Sequence, residues 1–289
     1  MRFTKLHGLG NDYIYINTLE EDLSGYDVPR LSEVLSNRNF GVGGDGIILV
    51  LPSTVADFRM RIFNADGSEA EMCGNGVRAF SKYLYEHGLT TKTELAIETG
   101  AGIIRPSLTV EGGVVKLVRV DMGEPRLARK DLPAAGEPAD QPIVAQPLSI
   151  GGHDLSITCV SMGNPHCVLF VEDAASFPVS EIGPRIERHE LFPKRTNVEF
   201  ATVQDRSHIV MRVWERGSGV TLACGTGTCA TVVAATLNEL VDRGEIHVSL
   251  LGGELVAEWA SNNHVFLTGP AAEAFSGEVH PDLLAQARK

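Results

Sequence analysis

Short runs of β-branched and other apolar residues, each closed by Gly, Asn or Asp, recur along the chain: GIILVL, DFRMRIFN, TELAIET, GIIRPSLTV, VVKLVRV, HIVMRVWE, IHVSL and ELVAEWA. This pattern predicts strands and hairpins, with turns at EGG and LGG. Helical spacing is rarer. Pro29 to Asn37 fits one helix, GNGVRAFSKYLYEHG places Val77, Phe80, Tyr83 and Leu84 on one face, and GTGTCATVVAATLNEL is apolar nearly all round, as expected of a buried helix. Residues 127–150, interrupted by Pro133, Pro138, Pro142 and Pro147, are expected to form an irregular surface excursion.

The chain also repeats itself. GLGNDYIYI around Asn11 is echoed by SMGNPHCVLF around Asn164, and FNADGSEAEMCGNG by WERGSGVTLACGTG. Asn11 precedes Cys73 by 62 residues and Asn164 precedes Cys224 by 60, while Asn64 and Glu215 each stand nine residues before their cysteine. Matched order as well as matched motif predicts an α+β protein of two similar halves related by a pseudo-twofold axis, with a cleft between them. Residues 1–119 carry Cys73 and are completed by a C-terminal tail, 271–289; residues 120–270 carry Cys224. Cys73 and Cys224 are thereby candidates to face each other.

Composition narrows the partner. With 289 residues, 43% of them hydrophobic, the chain can bury a substantial core. A formal charge of −12 without clustered Lys or Arg argues against nucleic acid, so the expected ligand is a small molecule. The N-terminal residues lack a signal-peptide core and no apolar run approaches a membrane span, so a cytoplasmic protein without membrane attachment is expected. Five cysteines with no C-x-x-C spacing fit neither a disulfide framework nor a zinc site, so no metal is expected and the thiols should be mostly reduced.

A thiol before C-G-x-G sits at a helix start. Unpaired N–H groups and the helix dipole there stabilise a thiolate, which predicts a lowered thiol pKa, and they also hold carboxylates; glycine lets a ligand approach the backbone. One such thiol suits a nucleophile, a redox sensor or a base. Two, facing each other, suit inversion of a stereocentre: one removes a proton from a carbon and the other returns a proton to the opposite face. The carboxylate of an α-amino acid would lie between the helix starts, where developing charge is best stabilised.

These blocks, KLHGLGNDY, FNADGSEAEMCGNG, SMGNPHC, RTNVEF, WERGSGVTLACGTG and the closing TGP, run in order nearly end to end and resemble diaminopimelate epimerases. The resemblance implies two pseudo-symmetric halves, each a curved mixed or antiparallel sheet or barrel wrapped around a central helix. It also implies a homodimer and interconversion, without pyridoxal phosphate or another cofactor, of LL- and meso-2,6-diaminopimelate for lysine and peptidoglycan synthesis. Cys73 and Cys224 match the catalytic thiols, and Gly74, Asn75, Gly225 and Thr226 the amide cradle for the reacting carboxylate. Glu215 matches the residue near the reacting ammonium, and His166 a residue that tunes the thiol with Glu215. Asn11, Asn64, Asn164, Asn197 and Arg216 match side chains that hold the substrate. One departure is visible: Gly46 stands in GVGGDG where many relatives carry Gln, so one distal contact is missing or supplied otherwise.

Blander readings compete at each position. A lone cysteine is more often a small buried filler, which remains the reading for Cys159, Cys167 and Cys229. The Asn residues could cap helices or form turns, Asn64 before ADG especially. Glu215 and Arg216 are adjacent, so if both touch substrate the strand must end or bulge there. Among whole-protein alternatives, an epimerase of proline, hydroxyproline or histidine stays closest, although proline racemase relatives usually show C-G-H-G at the first thiol. A dithiol oxidoreductase lacks C-x-x-C. A phosphate-binding module would not need both cysteines, and a pyridoxal enzyme would need a lysine in the repeated blocks.

Overall fold

A computed structural model describes all residues 1–289. In chain order the elements are β1 (Arg2–Gly8), β2 (Asn11–Asn17), α1 (Val28–Ser36), β3 (Gly46–Leu51), β4 (Phe58–Asn64), β5 (Glu69–Ala70), α2 (Gly74–Glu86), β6 (Ile97–Thr99), β7 (Gly102–Ile104), β8 (Ser107–Glu111) and β9 (Val114–Asp121). There follow β10 (Gln146–Ile150), β11 (His153–Ser161), β12 (Pro165–Phe170), α3 (Val179–Glu187), β13 (Asn197–Asp205), β14 (His208–Glu215), β15 (Gly219–Val220), α4 (Gly225–Leu237), β16 (Glu245–Leu250), β17 (Gly253–Trp259), β18 (Val265–Gly269), β19 (Ala272–Glu278) and α5 (Pro281–Ala285). They form two compact units: Met1–Val120 together with Gly269–Lys289, and Asp121–Thr268.

The first unit is a mixed sheet in the order β19-β1-β2-β3-β4-β6-β7, with β5 on β4. Along it, β1/β2 is antiparallel, β2/β3 parallel, β3/β4 antiparallel, β4/β6 parallel and β6/β7 antiparallel. The second unit repeats this alternation through β11, β12, β13, β14, β16 and β17, with β15 on β14. The duplication heard in the motifs is therefore a duplication of topology, and equivalent positions can be read from the register. Tyr13 pairs with Gly46 as His166 pairs with Asn197, and Ile47 pairs with Phe63 as Val198 pairs with Trp214.

Each sheet is covered on both faces, which is why its inner strands are apolar without alternation. In the first unit Ile14, Ile16, Ile47, Leu49 and Phe63 pack with Leu31, Val34 and Leu35 of α1 and with Leu284 of α5. The opposite face carries Tyr15, whose hydroxyl donates to the Gly76 carbonyl of α2 at 3.1 Å. In the second unit Ile157, Cys159, Cys167, Leu169, Val198 and Phe200 pack on Ile182 and Ile186 of α3. There α4 takes the other side; its residues from Gly227 to Ala235 are all buried, as its all-round apolar sequence predicts.

Two expectations need correction. GIIRPSLTV is not one strand but β7 and β8, separated at Arg105–Pro106, where proline removes a ladder donor. The excursion of residues 127–150 is not wholly irregular, since it holds a 3₁₀ turn at Arg129–Asp131 and ends in β10. The strand survives Pro147 because β10 is the outermost strand of its sheet, paired only with β11. No helix is long and apolar enough to cross a membrane.

Candidate active site

Cys73 caps α2 with extended backbone angles (φ −142°, ψ 114°). Its Sγ accepts the Gly76 N–H at 3.4 Å and donates to Asn11 Oδ1 at 3.4 Å. Asn11 opens β2 after a turn in which Gly10 has φ +91°, and its Nδ2 donates to Asp45 Oδ2 at 2.8 Å, which turns its oxygen toward the thiol. Tyr13, two residues on, lies close enough to act on the Cys73 thiol. Asn75 is buried, its Oδ1 taken by Arg78 Nη2 at 2.8 Å. Gly74 and Asn75 supply first-turn amides, which have no acceptor within the helix.

Asn64 ends β4 and donates through Nδ2 to Ser68 Oγ at 3.0 Å, across a turn in which Gly67 has φ +81°. The turn-forming role is thus visible at Asn64. Gly46 opens β3 opposite it, and a Cβ there would fall 2.1 Å from the Phe63 carbonyl oxygen. Glycine at 46 is what this approach of backbones requires, and no side chain reaches out from the position.

The second unit builds the matching place differently. Cys224 caps α4 (φ −131°, ψ 112°), and its Sγ lies 3.7 Å from Thr226 Oγ1 but, unlike that of Cys73, takes no hydrogen bond from a first-turn amide. Asn164 Nδ2 donates to Thr226 Oγ1 at 3.2 Å. His166 is fully buried between Asn164 Oδ1, 3.1 Å from its Nε2, and Glu199 Oε1, 2.6 Å from its Nδ1. Glu215 ends β14, accepts Thr221 Oγ1 at 2.5 Å and also meets Cys224. Gly225 and Thr226 provide the first-turn amides of α4.

Strand β14 ends at Glu215, followed by a turn with Gly217 and Gly219 at positive φ, so Glu215 and Arg216 are not bound to opposite faces of one strand. Asn197 is committed to the backbone: its Nδ2 donates to the Pro165 carbonyl at 3.0 Å and its Oδ1 accepts the Arg216 N–H at 2.8 Å. Arg216 Nη1 donates to the Lys194 carbonyl at 3.2 Å.

The electrostatics overturn one expectation. Burial pushes the Cys73 thiol above its usual range, and the Gly76 amide, the nearby Arg78 charge and Tyr13 pull it down without outweighing burial. Cys224 is pushed well above, by burial and then by the negative charges of Glu215 and Glu199. Burial raises Glu215 too, with Glu199 adding to it. A helix start attracts an anion, but a thiolate must also give up its water, and here desolvation prevails.

Three residues escaped the sequence reading: Tyr13, Arg78 and Glu199. Tyr13 stands where His166 stands in the second copy, so the repeat contained that signal. Arg78 follows the first C-G-x-G by two residues. Glu199 interrupts the apolar run of NVEFATV at an inward phase. Cys159, Cys167 and Cys229 are buried, with the first two in the α3-side core, as fillers would be.

A sequence profile described as diaminopimelate epimerase matches residues 3–128 and 158–273. A diaminopimelate epimerase of Agathobacter rectalis is 54% identical over 285 residues, covering 96% of this chain and 99% of its own. Those of Moorella thermoacetica (53% identical; 98% and 100% covered) and Methanococcus maripaludis (49%; 96% and 99%) are comparable. Among solved structures, a phenazine biosynthesis protein of the PhzF family from Bacillus anthracis aligns with TM-score 0.71 at 20% identity, covering 97% of this chain and 99% of its own. A probable proline racemase from Agrobacterium radiobacter aligns with TM-score 0.66 at 15% identity, covering 97% and 93%. At such identities these two likenesses concern the fold.

Proposed function

The chain belongs to the diaminopimelate epimerase family, and on that footing we propose that it interconverts LL- and meso-2,6-diaminopimelate, with Cys73 and Cys224 as base and acid on opposite faces of the α-carbon. The observation that carries the reading is the paired placement of the two cysteines, each capping the central helix of its own unit at equivalent points of a duplicated topology. In one direction a thiolate takes the α-proton, leaving carbanion or enediolate charge beside the substrate carboxylate. The first-turn amides at Gly74, Asn75, Gly225 and Thr226 stabilise that charge, and the opposite thiol delivers its own proton. The two sulfurs exchange protonation states, and solvent resets them.

Asn11 and Asn164 orient the reacting centre, Glu215 receives its ammonium, and His166 acts with Glu215 on Cys224. Asn64, Asn197 and Arg216 hold the distal amino acid group. A site built to bond a second ammonium and carboxylate strongly rejects analogues that leave those bonds unmade, so lysine and proline are poor substrates. The reaction takes place in the cytoplasm, in a homodimer, and uses no cofactor.

The test incubates reduced protein with stereochemically pure diaminopimelate in heavy water and follows isomers by chiral chromatography with mass spectrometry. Product of the earliest turnovers carries deuterium at the inverted centre while unreacted substrate stays largely unlabelled, and Cys73→Ala and Cys224→Ala each abolish inversion. A properly folded Cys224→Ala variant that epimerises near the wild-type rate defeats the two-thiol mechanism. Efficient racemisation of proline would move the assignment to the related proline epimerases.

A further inference from the structure

Glu199 lies on β13, fully buried, on the face turned to α4. Its Oε1 is 2.6 Å from His166 Nδ1, while its Oε2 is buried with no hydrogen-bond partner. A Cβ at Gly227, in the first turn of α4, would fall 2.7 Å from Glu199 Oε1 and 3.2 Å from Cys224 Sγ, so this carboxylate and that sulfur crowd the same glycine.

The other unit shows that packing does not require an acid here. Val168 pairs with Glu199 as Tyr15 pairs with Ile48, so Ile48 is the equivalent residue. A Cβ at Gly76 would meet Ile48 Cδ1 at 3.0 Å, in the same relation to Cys73. Hydrocarbon fills the place in one copy and a carboxylate in the other. A buried carboxylate is costly unless something pairs with it.

Hydrogen-bond direction identifies what it pairs with. Asn164 uses its Nδ2 on Thr226, so its Oδ1, an acceptor only, faces His166 Nε2, which must carry a proton. The Nδ1 faces Glu199 Oε1 at 2.6 Å, and toward an ionised carboxylate it donates as well. Both nitrogens donating makes an imidazolium. Thr226 Oγ accepts from Asn164, which leaves its own hydrogen for Cys224 Sγ at 3.7 Å.

We propose that Glu199 is a positioning residue that holds His166 as an imidazolium and, through Asn164 and Thr226, keeps an O–H donor aimed at the Cys224 sulfur. The role rests on the reading of Cys224 as an acid–base group. The titratable groups acting on or around Glu199 are His166 and Cys167 of β12, Glu215 at the end of β14 and Cys224 at the start of α4. Replacing Glu199 by glutamine leaves the pair's net charge unchanged if His166 loses its proton in response. Neutral Nε2 then accepts, Asn164 turns its NH₂ toward it, and Thr226 donates to Asn164 in place of the sulfur.

Two readouts test this without relying on diaminopimelate turnover. In the wild type, ¹⁵N spectra of labelled histidine, with His166 assigned by its loss in His166→Gln, show an imidazolium at neutral pH. In Glu199→Gln the same signals become those of a neutral ring, and Glu199→Asp restores the imidazolium. Alkylation read peptide by peptide falls at Cys224 in Glu199→Gln by about tenfold, one unit in thiol pKa, while Cys73 in the same molecules is unchanged and serves as internal control. A neutral His166 in the wild type overturns the proposal even if no variant folds, as does a Glu199→Gln protein in which Cys224 keeps its rate. A wild type that fails to epimerise diaminopimelate leaves both readouts intact and counts against the proposed function alone.

Discussion

The two thiols share a motif and differ in surroundings. Cys73 has Asn11, Tyr13 and the Arg78 charge; Cys224 has Thr226, Glu215 and Glu199. Both are raised by burial, Cys224 further because its charged neighbours are anions, so the thiolate fraction of each grows only as pH rises past the ordinary thiol range near 8.5. Iodoacetamide should therefore label Cys73 first at any pH between 7 and 9, with both rates climbing toward alkaline pH, as peptide mass spectrometry can resolve. Equal rates, or faster labelling of Cys224, would contradict these environments. The cysteines were legible because duplication marked them, and so were the residues spaced about them. The direction of their titration was not, because a local motif displays the helix amides that attract a thiolate but not the burial that penalises it. Glu199 was hidden for a related reason: an acid in an apolar run reads as a solvent-facing position, and only the sheet's second covered face turns it inward.

Among the elements, α1, α2 and α4 followed from periodicity and composition, whereas α3 did not. Gly183 and Pro184 stand inside α3 and read in sequence as a break. Burial of Val179, Ile182 and Ile186 in the core of the second unit overrides that signal, and the glycine has a packing reason. A Cβ at 183 would lie 2.6 Å from both Cβ and Cγ of Trp214, whose indole N–H is fixed on Glu187 Oε2 at 2.8 Å and so is not free to retreat. Gly183→Ala should cost about 1–3 kcal/mol in denaturant unfolding through overpacking. Gly25→Ala, where nothing lies within 4 Å, should stay within about 0.5 kcal/mol. The strand entrances are organised by charge instead. Asp12 meets Lys5 at 2.7 Å and Arg38 at 2.7 Å, and although burial opposes ionisation, Arg38 and Lys5 together hold its carboxyl below the usual range. A carboxylate lowered on folding stabilises the native state above its unfolded pKa of about 4, and that contribution is lost as pH falls through the lower folded value. Asp12→Asn should lower stability at pH 7 and flatten the acid limb of a stability–pH curve, measured with urea from pH 7 to pH 3. Unchanged curvature would show that the cluster contributes nothing.

In the molecule as a whole, the first unit draws on both ends of the chain and the second is one uninterrupted stretch between them. Strand β19 pairs with β1 along its length, the Val279 N–H donates to the Met1 carbonyl at 2.8 Å, and the Asp27 N–H to the Ala287 carbonyl at 2.9 Å. Unfinished chains are consequently expected to fold in an inverted order. Domains ordinarily mature in the order of synthesis, yet here the residues made before the second unit must wait for β19, made after it, with one edge of β1 open, while the inner stretch can already close on itself. An open β1 edge is a template for strands of neighbouring chains, so the nascent protein is exposed to misassembly until β19 is made and pairs with it. A chain stopped at Thr268 should keep slow amide exchange in α4 and its sheet, lose protection throughout α2 and β1–β4, and aggregate through the earlier half; uniform protection in both would mean that the closing strand is dispensable.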